Sequence, residues 1–205
     1  PIKNFDVYIN ELEARLDPSV RIMQGINAKI KNQLPKVVIP VHLAGTSCDM
    51  KSISELSSIY GFKVIEDASH SAGAFYKNNP IGCCKYSDIS VFSFHPVKII
   101  TAGEGGMALT NNDLLANRLL HFRNSGNTRN KSFMQPRPDN EIWNYQQIEL
   151  GFNYRMTDIQ AALGLSQMER LDKYIDTRQN IAKRYDSEFK NLPLKTPYQL
   201  PETYS

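Results

Sequence analysis

Tryptophan occurs once, cysteine three times and histidine four times in the 205 residues, and the formal net charge is only +3. Each scarcity removes a class of protein. The cysteines are Cys48, Cys83 and Cys84, an odd number with two of them adjacent and no Cys-x-x-Cys spacing. Neither a disulfide framework nor a zinc site follows from them, and a reducing, cytoplasmic setting is the expectation. No apolar run approaches the length of a membrane span, and no basic-plus-apolar leader is read at Pro1. Basic residues lie scattered among acids, which argues against a nucleic-acid surface, although local lysines and arginines would suit a sugar-nucleotide diphosphate. The glycines of TAGEGG, residues 101–106, do not follow the G-x-G-x-x-G spacing of a dinucleotide fold.

What is present is strand alternating with helix. FDVYINELEARL predicts a short extended piece and then a helix with Leu12, Leu16 and Val20 on one face; Asp6 is more readily structural than chemical there. KVVIPVHL, residues 36–43, is an almost continuous apolar run, expected of a parallel strand covered on both faces. His42 at its end reads more readily as a satisfied core residue than as a catalyst. Asp49 is a plausible N-cap for a helix carrying Ile53, Leu56 and Ile59, with Gly61 as its stop. FKVIED then supplies the next strand, completing a crossover unit of a parallel sheet.

The chain is organised around residues 65–98, which carry an acid at one end and a lysine at the other. Asp67 ends the FKVIED strand. A second apolar run, DISVFSF at 88–94, delivers Ser93, His95 and Lys98 at or just past its own carboxyl end. If both strands belong to one sheet, Asp67, Ser93 and Lys98 face a shared crevice. A lysine able to give up its proton, a carboxylate for a ring nitrogen and a hydroxyl for a phosphate are the set needed to hold pyridoxal phosphate. Lysines after strands are usually solvated, and acids at strand ends usually cap or pair, so spacing alone leaves both readings open.

Beyond this stretch, TAGEGG predicts a reversal into the strand MALT, and Asn112 or Asp113 caps a helix bearing Leu114, Leu115, Leu119 and Leu120 that ends at RNSGN. Residues 127–149 show no apolar period and read as a long loop. Arg123, Arg129 and Arg137 could each reach a diphosphate. Thr157 with Gln160 forms a capping box, from which one long helical pattern runs past Leu171 towards Phe189. The tail, LPLKTPYQLPETYS, is rich in proline.

The segments EDASHSAGA, SFHPVK, GEGG and FNYRMTD, in that order, resemble the DegT/DnrJ/EryC1/StrS sugar aminotransferases, over a match running from about Phe5 onward. That resemblance implies the type I fold of pyridoxal phosphate enzymes, an α/β class with a three-layer α/β/α large domain. It places residues 1–165 in that domain and 166–205 in an interdomain helix and the start of a small C-terminal domain. It further implies pyridoxal 5'-phosphate as cofactor, Lys98 as its catalytic lysine, Asp67 on the ring nitrogen, His70 on the phenolic oxygen side where glutamine is common, and Ser93 on the phosphate. Asn153 would reach the phosphate of the other subunit in a homodimer.

VVIPVHLAGTSCDM, the Ser-Phe-His-x-x-Lys form of the lysine motif and ALGLSQ resemble most the members acting on a UDP-linked 4-keto-6-deoxy-N-acetylhexosamine in pseudaminic acid synthesis. L-glutamate would then be the amino donor. The dehydratases of the family carry histidine in place of the lysine, so Lys98 favours transamination; another nucleotide keto sugar, a cyclitol or a non-catalytic truncated domain are the alternatives. Members of the family begin earlier, with a phosphate-binding loop, and continue further, so the chain is expected to be an internal piece.

Overall fold

The computed structural model describes residues 35–138 and 140–205. The N-terminal strand and helix read from FDVYINELEARL, with Asp6, Leu12, Leu16 and Val20, lie outside them. The central sheet has strands β1 (Val37–Val38), β2 (Lys63–Asp67), β5 (Ile89–Ser93) and β6 (Gly106–Leu109), in the order β1-β2-β5-β6. β1 pairs parallel with β2, and β2 with β5 in the register Ile65↔Ile89 to Asp67↔Val91. β6 returns antiparallel, with Ser93 opposite Gly106, which is the reversal expected of TAGEGG.

The first strand is shorter than its apolar run. Ladder pairing lapses at Ile39 and Pro40, because proline has no N–H to give, and resumes as a single parallel bridge between Val41 and Asp67. Val37, Ile39, Val41 and Leu43 are all well exposed, so among the described residues nothing covers one face of this segment, where cover on both was expected.

Helix α1 (Met50–Tyr60) starts at Asp49, whose carboxylate accepts from Ser52 N at 3.3 Å, and stops at Gly61 in the left-handed region at φ 75°. Met50, Ile53 and Leu56 are buried near Phe62 and Val64, but Ile59 is 69% exposed and drops out of the expected stripe. Asn112 rather than Asp113 caps α2 (Asp113–Arg123), its side-chain oxygen accepting from Leu114 N and Leu115 N. None of α2's side chains is buried. Within the expected loop at 127–149, β7 (Asn127–Thr128) and β8 (Gln146–Gln147) form a short antiparallel ladder.

The capping box at Thr157 and Gln160 is present and opens α3 (Asp158–Met168). The single long helix expected after it is in fact two, because the chain turns at Glu169–Arg170 before α4 (Leu171–Phe189). The turn brings Leu171 against the core of Phe94, Ile100 and Ala102 and buries Ile175 over Gly73. The apolar contact of Leu171 and Ile175 accounts for the change of direction in the absence of proline or glycine. The tail also returns: β9 (Thr203–Tyr204) joins β3 (Phe75–Tyr76) and β4 (Asn79–Pro80) in a small sheet of order β4-β3-β9.

Gly73 is the tightest point of this docking. Its φ is 79°, and a Cβ there would overlap Ile175 Cδ1 and press on Leu171 Cδ2 at 3.2 Å. Gly73→Ala is therefore expected to lower stability by roughly 2–5 kcal/mol, combining left-handed strain with overpacking. Urea unfolding of the variant checks this, the midpoint falling with little change in slope.

Candidate functional site

Asp67 is fixed at the end of β2 from both sides. Its N–H donates to Pro40 O at 2.9 Å, its carbonyl accepts from His42 N at 3.0 Å, and the next residue, Ala68, donates to Val91 O at 2.8 Å. Strand alternation puts Val64, Glu66 and Ala68 on the buried face and leaves Asp67 half-buried on the other. Hydrogen bonding from Ser69, whose backbone N–H lies 3.1 Å from Oδ1, holds the Asp67 carboxyl below its ordinary range. Partial burial opposes this, while the fields of His70 and Lys98 add to it. The group is thus an ionised carboxylate at neutral pH, within the fields of a lysine and an imidazole.

Ser93 ends β5, the strand adjacent to β2, two residues beyond the partner of Asp67. Its Oγ accepts from His95 N at 3.4 Å, which leaves the hydroxyl proton free to donate elsewhere. Lys98 follows in a turn in which its N–H donates to His95 O at 3.0 Å. That turn hangs between buried Phe94 and buried Ile100, and Thr101 Oγ1 and Ala102 N both donate to Phe94 O. Lys98 itself is half-buried.

His70 Nδ1 accepts from Ala44 N at 3.2 Å, so in the neutral ring the proton sits on Nε2 and that nitrogen is a donor. A donor is what a phenolic oxygen requires, and the histidine-for-glutamine exchange keeps it. Asn153 is exposed, bridged to Asn124 and accepting from Arg155 Nε and Nη2 at 3.2 and 3.0 Å. Among the described residues no hydrogen bond or ion pair joins it to Asp67, Ser93 or Lys98. Of the candidate arginines, Arg129 stacks over Tyr145 at 6.0 Å, and no anion-binding arrangement singles out Arg123 or Arg137.

The donor set fits pyridoxal phosphate: an anion for a protonated ring nitrogen, an amine, a hydroxyl and an imidazole N–H, gathered past the carboxyl ends of two adjacent parallel strands. Other chemistries find less support. The Cys48 thiol is pushed up to about 11 by burial and by Glu66 and Asp49, so it stays protonated and is a poor nucleophile. No group of His, Cys, Asp or Glu among the described residues is arranged to hold a metal ion, and none of their helices is long and apolar enough to cross a membrane.

Behind Asp67 lies a cluster that residue spacing did not reveal. His42 is fully buried, as the core reading of it anticipated, and its Nε2 lies 3.2 Å from Glu66 Oε2. Ser87 Oγ donates to Glu66 Oε1 at 2.6 Å. Nothing in the sequence marks Ser87 as a partner of Glu66, because the pairing crosses between β2 and the approach to β5.

The family model of the DegT/DnrJ/EryC1/StrS aminotransferases matches residues 10–205. The UDP-4-amino-4,6-dideoxy-N-acetyl-beta-L-altrosamine transaminase of Campylobacter jejuni is 39% identical over 75% of this chain and 38% of its own length. A GDP-perosamine synthase of Caulobacter vibrioides is 40% identical over 77% of the chain and 38% of its own. Among solved structures, PseC of Helicobacter pylori, an aminotransferase of pseudaminic acid biosynthesis, superposes with a TM-score of 0.72 at 32% identity, covering 83% of this chain and 43% of that one. The chain thus spans about two fifths of the length of the curated relatives it matches. The aminotransferases of this family depend on pyridoxal phosphate, and the fold seen here, a mixed α/β fold, is theirs.

Proposed function

The chain belongs to the DegT/DnrJ/EryC1/StrS aminotransferase family, and from that premise we propose that it carries most of the site of a pyridoxal phosphate-dependent transaminase for a nucleotide-linked keto sugar. The observation that supports this most is the ionised Asp67 carboxylate with Lys98 within its field, at the ends of paired strands β2 and β5. The amino donor is L-glutamate and the acceptor is the 4-keto carbon of a UDP-linked 4-keto-6-deoxy-N-acetylhexosamine. Residues 1–165 belong to the cofactor-binding domain and 166–205 lead into a smaller one.

Bound at this site, pyridoxal phosphate supplies an electron sink that makes the α proton of the amino donor acidic. Asp67 keeps a proton on the ring nitrogen, the Ser93 hydroxyl donates to the phosphate, and His70 Nε2 donates to the phenolic oxygen. Lys98 Nζ anchors the group and then moves the α proton as a general base and acid. The half-buried position of Lys98 limits competing contact with water.

The similarity to a GDP-perosamine synthase at 40% identity favours a second reading, with a guanosine-linked sugar as acceptor. Steady-state assays with glutamate and either keto sugar separate the two. The expected result is a kcat/KM at least about 10-fold higher for the UDP substrate, a margin a few base-specific hydrogen bonds supply; the reverse order contradicts it.

Asn153 acts across a two-fold interface in this reading. Asn153→Ala and Lys98→Ala subunits, each inactive alone, are expected to regain about a quarter of normal activity when mixed and re-associated. Half of the dimers are then mixed, and each mixed dimer holds one intact site. Zero recovery, with hybrid dimers verified by mass spectrometry, would place Asn153 in the same site as its own Lys98.

A further inference from the structure

We infer that His42, acting through the buried Glu66, sets the direction of the Asp67 carboxylate and is a positioning residue for the proposed amino transfer, an inference that rests on that reading. His42 holds the end of β2 by two routes. Its backbone N–H donates to Asp67 O at 3.0 Å, and its imidazole meets the side chain of the preceding residue, Glu66, at 3.2 Å. The ladder of this segment is interrupted. β1 ends at Val38, Pro40 has no N–H to donate although its carbonyl accepts from Asp67 N at 2.9 Å, and pairing returns at the Val41–Asp67 bridge. The imidazole, at 0% exposure, adds a buried side-chain tie to these backbone bonds.

The cluster has a defined hydrogen-bond polarity. Cys48 N donates to His42 Nδ1 at 3.2 Å, so that nitrogen is an acceptor and the ring proton resides on Nε2, directed at Glu66 Oε2. Ser87 Oγ donates to the other oxygen, Oε1. Glu66, 4% exposed, therefore has both carboxylate oxygens engaged inside the protein, and a buried carboxylate that loses a donor is costly enough to move its surroundings. Those surroundings include the Glu66–Asp67 peptide. Rotation of that peptide would swing the Asp67 carboxylate away from Ser69, 3.1 Å distant, and so change its aim. His42 and Glu66 are buried and stand outside the set of side chains proposed to hold the cofactor, so their effect is on aim.

The test uses protein labelled with 13C at aspartate carboxyls, with the Asp67 signal assigned by its loss in Asp67→Asn. In cofactor-free protein, His42→Ala is expected to shift the Asp67 titration up, towards the ordinary carboxylate range, as contact with Ser69 loosens. With pyridoxal phosphate bound, kcat should fall by about 10- to 100-fold at nearly unchanged KM, the scale of a small misplacement of a reacting group. His42→Gln should restore most of both, since its amide offers one donor to Glu66 and one acceptor to Cys48 N. Tyr76→Phe, which removes the 2.7 Å bond to Asp49, is the control for general loss of stability and should move neither. If His42→Ala does not fold, His42→Leu, which fills the same space but offers Glu66 no donor, carries the same expectation. An unmoved Asp67 titration and kcat in a folded variant, or an equal shift in Tyr76→Phe, overturns the inference. Absence of a cofactor spectrum in the unsubstituted protein counts against the functional reading, whereas the Asp67 titration of the cofactor-free protein decides the positioning role.

Discussion

Lys98→Ala is expected to abolish amino transfer, with a loss of at least about 10⁴-fold in kcat, while leaving the fold intact. The size follows from two roles lost together, the anchoring amine and the proton carrier, since a positioned acid or base alone contributes about 10²–10⁴-fold. The fold should tolerate the change, because Lys98 is half-buried in a turn held by backbone bonds and by Thr101, none of which uses its side chain. Lys98→Arg separates charge from chemistry. Arginine keeps the positive field beside Asp67 but cannot give up a proton, so it should be as inactive as alanine. Activity in Lys98→Arg above a hundredth of normal would remove this lysine from the reaction. Circular dichroism and urea unfolding check that neither variant has lost structure.

Asp67→Asn is expected to lower kcat by on the order of 10²–10³, the cost of removing one preorganised charge opposite a site where charge develops. KM should change much less, because in the proposed site the carboxylate would serve the cofactor ring and not the sugar. The same substitution has a stability signature whose sign is fixed by the direction of the shift. Hydrogen bonding from Ser69 holds the Asp67 carboxyl below its unfolded value, so the ionised form favours the folded state. That contribution is present above the ordinary carboxylate range and is lost as pH falls through the lowered value. Acid unfolding of Asp67→Asn should therefore show a shallower dependence on pH across that window than the unsubstituted protein. Identical acid profiles would mean that Ser69 does not engage Asp67 in solution.

The parts of the fold legible in the sequence are those governed by local chemistry. Asp49 and Gly61 bracket α1, Thr157 and Gln160 open α3, and the short apolar runs ending at Asp67 and Phe94 gave the paired strands β2 and β5, at or just past whose ends Asp67, Ser93 and Lys98 stand. Caps and β-branched runs act over a few residues, so spacing records them. Features set by distant packing left no such trace. The turn at Glu169–Arg170 depends on Leu171 and Ile175 finding Phe94 and Gly73, 77 and 102 positions earlier in the chain, and a helical period continues straight through it. Ile59, Leu114 and Leu120 fit a helical stripe yet stay exposed, and Leu115 and Leu119 are only partly buried, because period reports amphipathicity and not what covers it. His42 was readable as a core histidine, whereas its partner Glu66 looked like one of two acids at a strand end. Only alternation along β2 separates the buried member from the one facing the site.

The central claim, that Lys98 and Asp67 together hold pyridoxal phosphate, is tested most directly by borohydride reduction of the protein with the cofactor bound, followed by peptide mass mapping. The predicted result is a single pyridoxyl group on Lys98, absent from Lys98→Ala, with a visible band that borohydride bleaches and that Asp67→Asn weakens. Label spread over exposed lysines, or none at Lys98 under conditions where the protein is folded, would contradict it.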